Sequence, residues 1–249
     1  MTINYEINPP KVHEKEFLPE EVNSLLEKTI QRVSDIAKFC DGIHVTESVL
    51  GTKRLSPIIT GSVLKKLHPH LKITVSMRVI DKDIDAIERY VDDVIAANLD
   101  GILVLKGDPS KDDPVDSGLA PSHVVRYLHE KNYAEKIRLF LSIHNNPNFE
   151  KIKRKIDAEP VGFVTQVIHS AKQVVRICDE LKPKGFQIVP IVLLPSEKNV
   201  KSAEFLELDW SGYKDRVSEF IHEIHEISGD VLITSPNDFG FAKEVLSKL

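Results

Sequence analysis

Lys106, Gly107 and Asp108 interrupt an apolar run, and that interruption carries the first chemical signal of the chain. Gly101-Ile102-Leu103-Val104-Leu105 reads as a strand buried on both faces. Lys106-Gly107-Asp108-Pro109, which follows it, is turn chemistry. A cation and a carboxylate are thus delivered at the carboxyl end of a strand, where parallel α/β folds bind their ligands. The glycine between them would let the backbone come close to such a ligand. Glu6 is the second signal. It lies in Tyr5-Glu6-Ile7-Asn8-Pro9-Pro10-Lys11, inside an otherwise apolar strand. A carboxyl there is partly desolvated, its pKa rises, and it suits a general acid near neutral pH. The alternative is an ion pair with Lys72 or Lys106 that only holds the structure together. Asp108, ionised beside Lys106, can accept hydrogen bonds from an N–H-rich heterocycle such as a pterin or flavin. Gln166 offers a donor and an acceptor, which suits the amide-like edge of a pterin; the alternative is a satisfied core amide.

These residues need a scaffold that brings distant segments together. Short apolar runs are expected as strands at Ile3–Ile7, Gly42–Thr46, Lys72–Arg78, Gly101–Leu105, Ile137–Ile143, Gly162–Val167, Gln187–Leu193 and Asp230–Thr234. Helical segments alternate with them. One opens at Pro19-Glu20-Glu21, with a proline and acids in its first turn. Asp83–Asn98 repeats Ile84, Ile87, Val91, Val94 and Ile95 at a helical period, and Ser170–Leu181 and Lys214–Ile227 are similar. Strands begin roughly every 25 to 40 residues, which fits one (β/α)8 barrel over residues 1–249. A doubly wound open sheet is the competitor, but no G-x-G-x-x-G follows any strand. The barrel would gather Glu6, Thr46 with Glu47, Ser76 with Arg78, Lys106 with Asp108, His144 with Asn145, Gln166, Ser196, and Ser235 with Asn237 at one mouth. Glu6, Asp108 and Gln166 are expected to share one cavity there.

The whole chain has 249 residues, 41% of them hydrophobic, with a net charge of −5, and its basic residues are dispersed. A nucleic-acid surface is not expected. Nor is a membrane span, since no apolar run approaches about 20 residues. Cys40 and Cys178 are too few and too far apart for a disulfide framework or a zinc site, which points to a reduced, cytoplasmic compartment. His144 and His169 lack metal-ligand spacing, and His222 and His225 read as a solvated helix face, so no metal is expected.

Read in order, several segments resemble methylenetetrahydrofolate reductases. They are Glu6 with Pro9-Pro10-Lys11, and Val45-Thr46 through Arg54. Ile102 through Pro109 is similar to the family's Leu-Arg-Gly-Asp-Pro strand end. Lys153–Ala158 with Thr165-Gln166, Val189–Pro195, and Val231–Asn237 complete the set. The resemblance implies a barrel that reduces a 5,10-methylene-tetrahydropterin to the 5-methyl form. FAD would carry hydride from NADH or NADPH. Glu6 would protonate the pterin nitrogen, and Asp108 would sit between flavin and pterin. Gln166, with Asn237, would hold the substrate. Thr46, Lys106, Gly107, Asp108, Ala120 and Lys155 would line the flavin site.

The departures fall on the flavin side. The family's Gly-rich loop is here Glu47-Ser48-Val49-Leu50-Gly51-Thr52-Lys53, and its His-Leu-Thr-Cys is Lys72-Ile73-Thr74-Val75. Its Tyr-Pro-Glu segment is replaced by Ser142–Asn146, and its aromatic pair after Thr-Gln by Val167-Ile168. Bulk and a carboxylate beside a diphosphate are unfavourable. Two functions follow: a pterin reductase, or a non-redox pterin-binding or accessory subunit of the same fold. A homo-oligomer or a partner subunit is left open. A barrel lyase using a Schiff-base lysine has only Lys72 and Lys106 as strand-end candidates.

Overall fold

The computed structural model describes residues 2–12, 18–48, 51–109 and 115–249. Eight parallel strands close into a barrel in sequence order. They are β1 (Thr2–Ile7), β2 (Gly42–Val45), β3 (Lys72–Arg78), β4 (Gly101–Leu105), β5 (Arg138–Ile143), β6 (Gly162–Val167), β7 (Gln187–Leu193) and β8 (Asp230–Thr234). Each expected strand forms, within a residue at either end. β8 pairs with β1 and closes the ring, with Tyr5 opposite Ile233.

Alternation along the strands sorts side chains into two environments. Ile3, Tyr5 and Ile7 of β1, Ile43 and Val45 of β2, and Ile73, Val75 and Met77 of β3 pack outward against the helices in the main core. The helices are α1 (Pro19–Ile36), α2 (Pro57–Leu67), α3 (Ile84–Ala96), α4 (Pro121–Glu130), α5 (Lys153–Ile156), α6 (Ala171–Leu181), α7 (Val200–Phe205), α8 (Val217–Ser228) and α9 (Phe239–Leu246). In α3 the stripe Ile87, Tyr90, Val91 and Val94 is buried, and the Asp83 side chain caps the helix by accepting from the Ala86 N–H at 2.8 Å. The helix expected from Lys214 begins only at Val217. Tyr213 is drawn inward instead, with its ring stacked on Phe220 and its hydroxyl donating to the Leu193 carbonyl at 3.0 Å.

The alternate residues face the barrel axis, and there the interior divides. Leu103, Phe140, Val164, Val189 and Leu232, one each from β4 to β8, form a separate apolar plug. On β1 to β3 the axial positions are polar. Glu6 lies beside His44 in register, and His44 beside Thr74. The His44 ring nitrogens meet the Thr74 and Ser76 hydroxyls, each at 2.9 Å. Burial pushes the His44 pKa down to about 4, so the ring is neutral at physiological pH. The plug and this neutral hydrogen-bonded layer form the floor on which the mouth residues stand.

Candidate active site

At the carboxyl end of the barrel an open cavity of about 810 Å³ is lined by Glu6, Asn145, Gln166, Thr234 and Asn237, among others. β1 carries Glu6 to its floor. Strand alternation leaves the neighbours Tyr5 and Ile7 in the core and turns Glu6 to the axis. Its carboxylate accepts one hydrogen bond, from the Thr234 hydroxyl at 2.8 Å. Desolvation raises the Glu6 pKa, and the Thr234 bond opposes that rise only in part. Neither lysine of the alternative reading pairs with it: Lys106 pairs with Asp116 at 2.9 Å, and Lys72 makes no ion pair among the described residues.

Gln166 reaches the same cavity through an irregularity. The β6–β7 register shifts between Val164 and Val167. Thr165, buried, anchors the shift by accepting from the Ile191 N–H at 3.2 Å and donating to the Gln166 carbonyl at 2.7 Å. A bulge of this kind re-aims a side chain. The Gln166 side chain is exposed to the cavity and makes no hydrogen bond among the described residues, so the core-amide reading is corrected. Asn237 is also exposed there; its Nδ2 donates to the Ser202 hydroxyl at 3.0 Å. Asn145, buried, is held by its bond to the Val167 carbonyl at 2.7 Å.

Asp108 stands at the same end of the barrel but outside the lining of this cavity, as do Thr46, Lys106, Gly107, Ala120 and Lys155. Their corner is filled by the protein itself. Arg78, only 4% exposed, extends across it. Its guanidinium pairs with Asp81 and donates to the Asp108 carbonyl at 3.1 Å. Glu47 accepts the Arg78 backbone N–H at 2.6 Å and the Lys82 ammonium at 2.8 Å. Gly107 has a φ of +81°, and a Cβ there would meet the Arg78 side chain at 2.7 to 2.9 Å. The close approach it permits is to Arg78. Thr46 donates to the Asn8 side chain at 2.7 Å, and Lys155 to the Ser142 carbonyl at 2.6 Å. Ala120 is the half-buried N-cap residue of α4. Ser76 and Ser235 serve internal bonds, to His44 and to the Asp238 carbonyl at 2.8 Å, and His144 is exposed.

These described residues do not fit FAD. A flavin needs free donors and a bare stretch of backbone. Here Thr46, Lys106 and Lys155 direct their polar ends to protein partners, and one face of Gly107 lies against the Arg78 side chain. Among the described residues no group of three or more His, Cys, Asp or Glu side chains could hold a metal. No helix of the described residues is long and apolar enough to cross a membrane. The sequence reading missed Lys201, Ser202 and Phe205, which reach the cavity from α7. That helix is only six residues long and too short to show a period. The one available signal was Phe205-Leu206, an apolar pair with no partner pattern around it; Phe205 is 67% exposed.

A closed eight-stranded parallel barrel, with charged and amide side chains gathered at its carboxyl end, is a TIM barrel. The family model for methylenetetrahydrofolate reductase matches residues 1–211, so the chain belongs to that family. No curated protein matches the sequence. Among solved structures, a GH18 chitinase, ChiB, from the chitin utilization locus of Flavobacterium johnsoniae is similar in fold. Its TM-score is 0.59 at 11% identity, over 99% of this chain and 93% of that one. A KGPDC from Streptococcus mutans gives 0.55 at 10% identity, over 99% and 96%. A 2,3-dimethylmalate lyase gives 0.58 at 9% identity, over 99% and 78%. At such identities they bear on the barrel alone.

Proposed function

We propose that the chain binds a 5,10-methylene-tetrahydropterin in the cavity and reduces it to the 5-methyl form. One observation carries the reading. A desolvated carboxyl, Glu6, faces the same cavity as an unpaired amide, Gln166. The bridging methylene accepts hydride only after one carbon–nitrogen bond opens. Opening needs a proton on a weakly basic amine. Glu6, protonated to a higher pH than an ordinary carboxyl, supplies that proton, and the bond breaks to leave an iminium cation. The resulting Glu6 carboxylate then stabilises that cation at short range. Gln166 gives a donor and an acceptor to the amide edge of the pterin ring. One hydride then adds to the iminium carbon and gives the methyl product.

The hydride comes from NADH or NADPH. No step here is routed through FAD, because the β2–β4 corner is occupied by Arg78 and its partners. The second reading, a pterin-binding or accessory subunit without redox activity, draws on the same filled corner. Purified protein is assayed with 5,10-methylene-tetrahydrofolate and NADH or NADPH, with and without added FAD, while its visible absorbance is recorded. Methyl product without added FAD supports the reductase. Saturable pterin binding with no product under any condition supports the accessory reading. Absence of pterin binding rejects both.

A further inference from the structure

The side chain next to Glu6 across the sheet is a histidine, and the two do not bond. Glu6 of β1 and His44 of β2 are partners in register, which puts their backbones about 5 Å apart. A carboxyl and an imidazole at that spacing have every electrostatic reason to pair. Yet the one hydrogen bond to Glu6 among the described residues comes from Thr234, at 2.8 Å. His44 turns to β3 instead. Its Nδ1 meets the Thr74 hydroxyl and its Nε2 the Ser76 hydroxyl, each at 2.9 Å. A neutral imidazole has one N–H and one bare nitrogen, and each takes a single partner. Neither nitrogen is left for Glu6.

Two hydroxyls reach one ring because Thr74 and Ser76, two apart on a strand, share a face. The ring and Ser76 are buried, and Thr74 is half-buried. No charged group stands between His44 and Glu6 among the described residues. β4 to β8 bring the apolar plug, Gln166 and Thr234 to the axis. Tyr5, next to Glu6 in sequence, turns into the outer core. Arg78, two residues beyond Ser76 on β3, pairs with Asp81. Lys11, Arg54, Lys201 and Glu207 line the cavity, and none of them bonds Glu6 or His44. A histidine released from β3 would thus have Glu6 as its neighbour in register.

We infer that Thr74 and Ser76 are positioning residues that hold His44 off Glu6, and so keep Glu6 in the form that donates a proton. The inference deepens the acid role proposed for Glu6 and rests on it. An N–H or an imidazolium turned on the carboxyl would favour the carboxylate and take away the acid's proton. The two β3 hydroxyls prevent that turn.

The test reads the titration of Glu6 directly. Carboxyl resonances of protein labelled with 13C-glutamate are followed through pH, and Glu6→Gln identifies the Glu6 signal. In the wild-type protein Glu6 is expected to titrate above the ordinary carboxyl range. Thr74→Val with Ser76→Ala removes both hydroxyls at nearly constant shape. Glu6 should then titrate lower by at least about one pH unit, as a carboxyl does beside a cation. Adding His44→Leu removes the freed ring, and the Glu6 titration should return to its wild-type position. In turnover, the alkaline limb of kcat/KM should move down in the double variant and back in the triple. If the double variant does not fold, Ser76→Ala alone frees Nε2 and should give a smaller fall. An unchanged Glu6 titration in the variants overturns the clamp and leaves the acid role standing. A fall that persists in the triple variant also overturns it, because loosened packing and entering water then account for the fall. An ordinary Glu6 titration in the wild-type protein overturns the acid role and the clamp together. The titration needs no pterin, so it decides the clamp whether or not the protein turns one over.

Discussion

The two sides of the barrel mouth are built on opposite principles. On the side of β1, β6 and β8, polar groups are left unmatched: Glu6 with one hydrogen bond, Gln166 with none, and the cations Lys11, Arg54 and Lys201 without acids among the described residues. On the side of β2, β3 and β4, the charged groups are matched internally, through Arg78, Asp81, Glu47 and Lys82. The desolvated Glu6 carboxyl and the buried Arg54 Nε carry a cost that a ligand's polar atoms could offset, while the exposed Gln166, Lys11 and Lys201 are free to exchange water for a ligand. The paired corner leaves a ligand fewer free charged groups, the buried Arg78 Nε being one polar atom there without a hydrogen-bond partner. Family membership alone treats the two sides as one composite site. Their chemistry separates them into a side with unmatched polar groups and a side whose charges are paired within the protein.

The largest expected effect breaks the open side. Glu6→Gln keeps the shape and a hydrogen bond to Thr234 but cannot supply a proton. Turnover should fall on the order of 10²-fold or more, with pterin affinity within a few-fold. Steady-state kinetics with a separate binding titration checks this, and near-normal turnover would remove the acid role. The same variant makes a second prediction of known sign. A carboxyl whose folded pKa is raised contributes stability below its unfolded pKa and loses it as pH rises through the folded value. Glu6→Gln should therefore raise the melting temperature at about pH 7 to 8, and the gain should vanish below about pH 3.5, where the carboxyl is protonated in both states.

The next effect breaks the matched side. Gly107→Ala places a Cβ against Arg78 on a backbone held at φ +81°. A loss of about 1–3 kcal/mol is expected, read as a lower urea midpoint. Pterin affinity should be unchanged, since Gly107 lies outside the cavity. Fluorescence titration of FAD into the purified protein sharpens the comparison. Binding weaker than about micromolar, roughly −8 kcal/mol, is expected from a corner whose polar groups are already paired. Saturable sub-micromolar binding would mean that the corner opens and that Arg78 swings away.

How far the sequence foretold this depends on the range of the signal. The barrel was legible because apolar alternation is local. Ile3, Tyr5 and Ile7 declare a face of β1 without reference to anything distant. Glu6 was legible for the same reason, as a carboxyl out of place in an apolar run. The filled corner was not, because it depends on Arg78 reaching Asp81 and the Asp108 carbonyl and lying over Gly107. That geometry exists only when β3 and β4 pair. Gly107 had the right conformation and the wrong neighbour. Gln166 was found, but its freedom was not, since the register shift that exposes it arises between two strands. Lys11 and Arg54 stood in quoted motifs, yet their pairing across one antiparallel bridge is a tertiary fact.

The smallest expected effect tunes the open side without dismantling it. Thr234 donates to the Glu6 carboxylate at 2.8 Å, and a donor to a carboxylate favours the ionised form. Thr234→Val removes that donor and keeps the branched shape in the strand. The Glu6 pKa should then rise further, because desolvation acts unopposed. A general acid that stays protonated to higher pH keeps the enzyme active to higher pH. The alkaline limb of kcat/KM should move up, by about half a unit to one unit for a single neutral donor at about 0.5–1.5 kcal/mol. The maximum rate should change by less than about threefold, since the proton donor itself remains. A limb that moves down, or stays in place while Glu6→Gln is inactive, would mean that the hydroxyl does not set the charge state of Glu6. The unmatched character of this side of the mouth would then owe more to burial than to the hydrogen bond that β8 supplies.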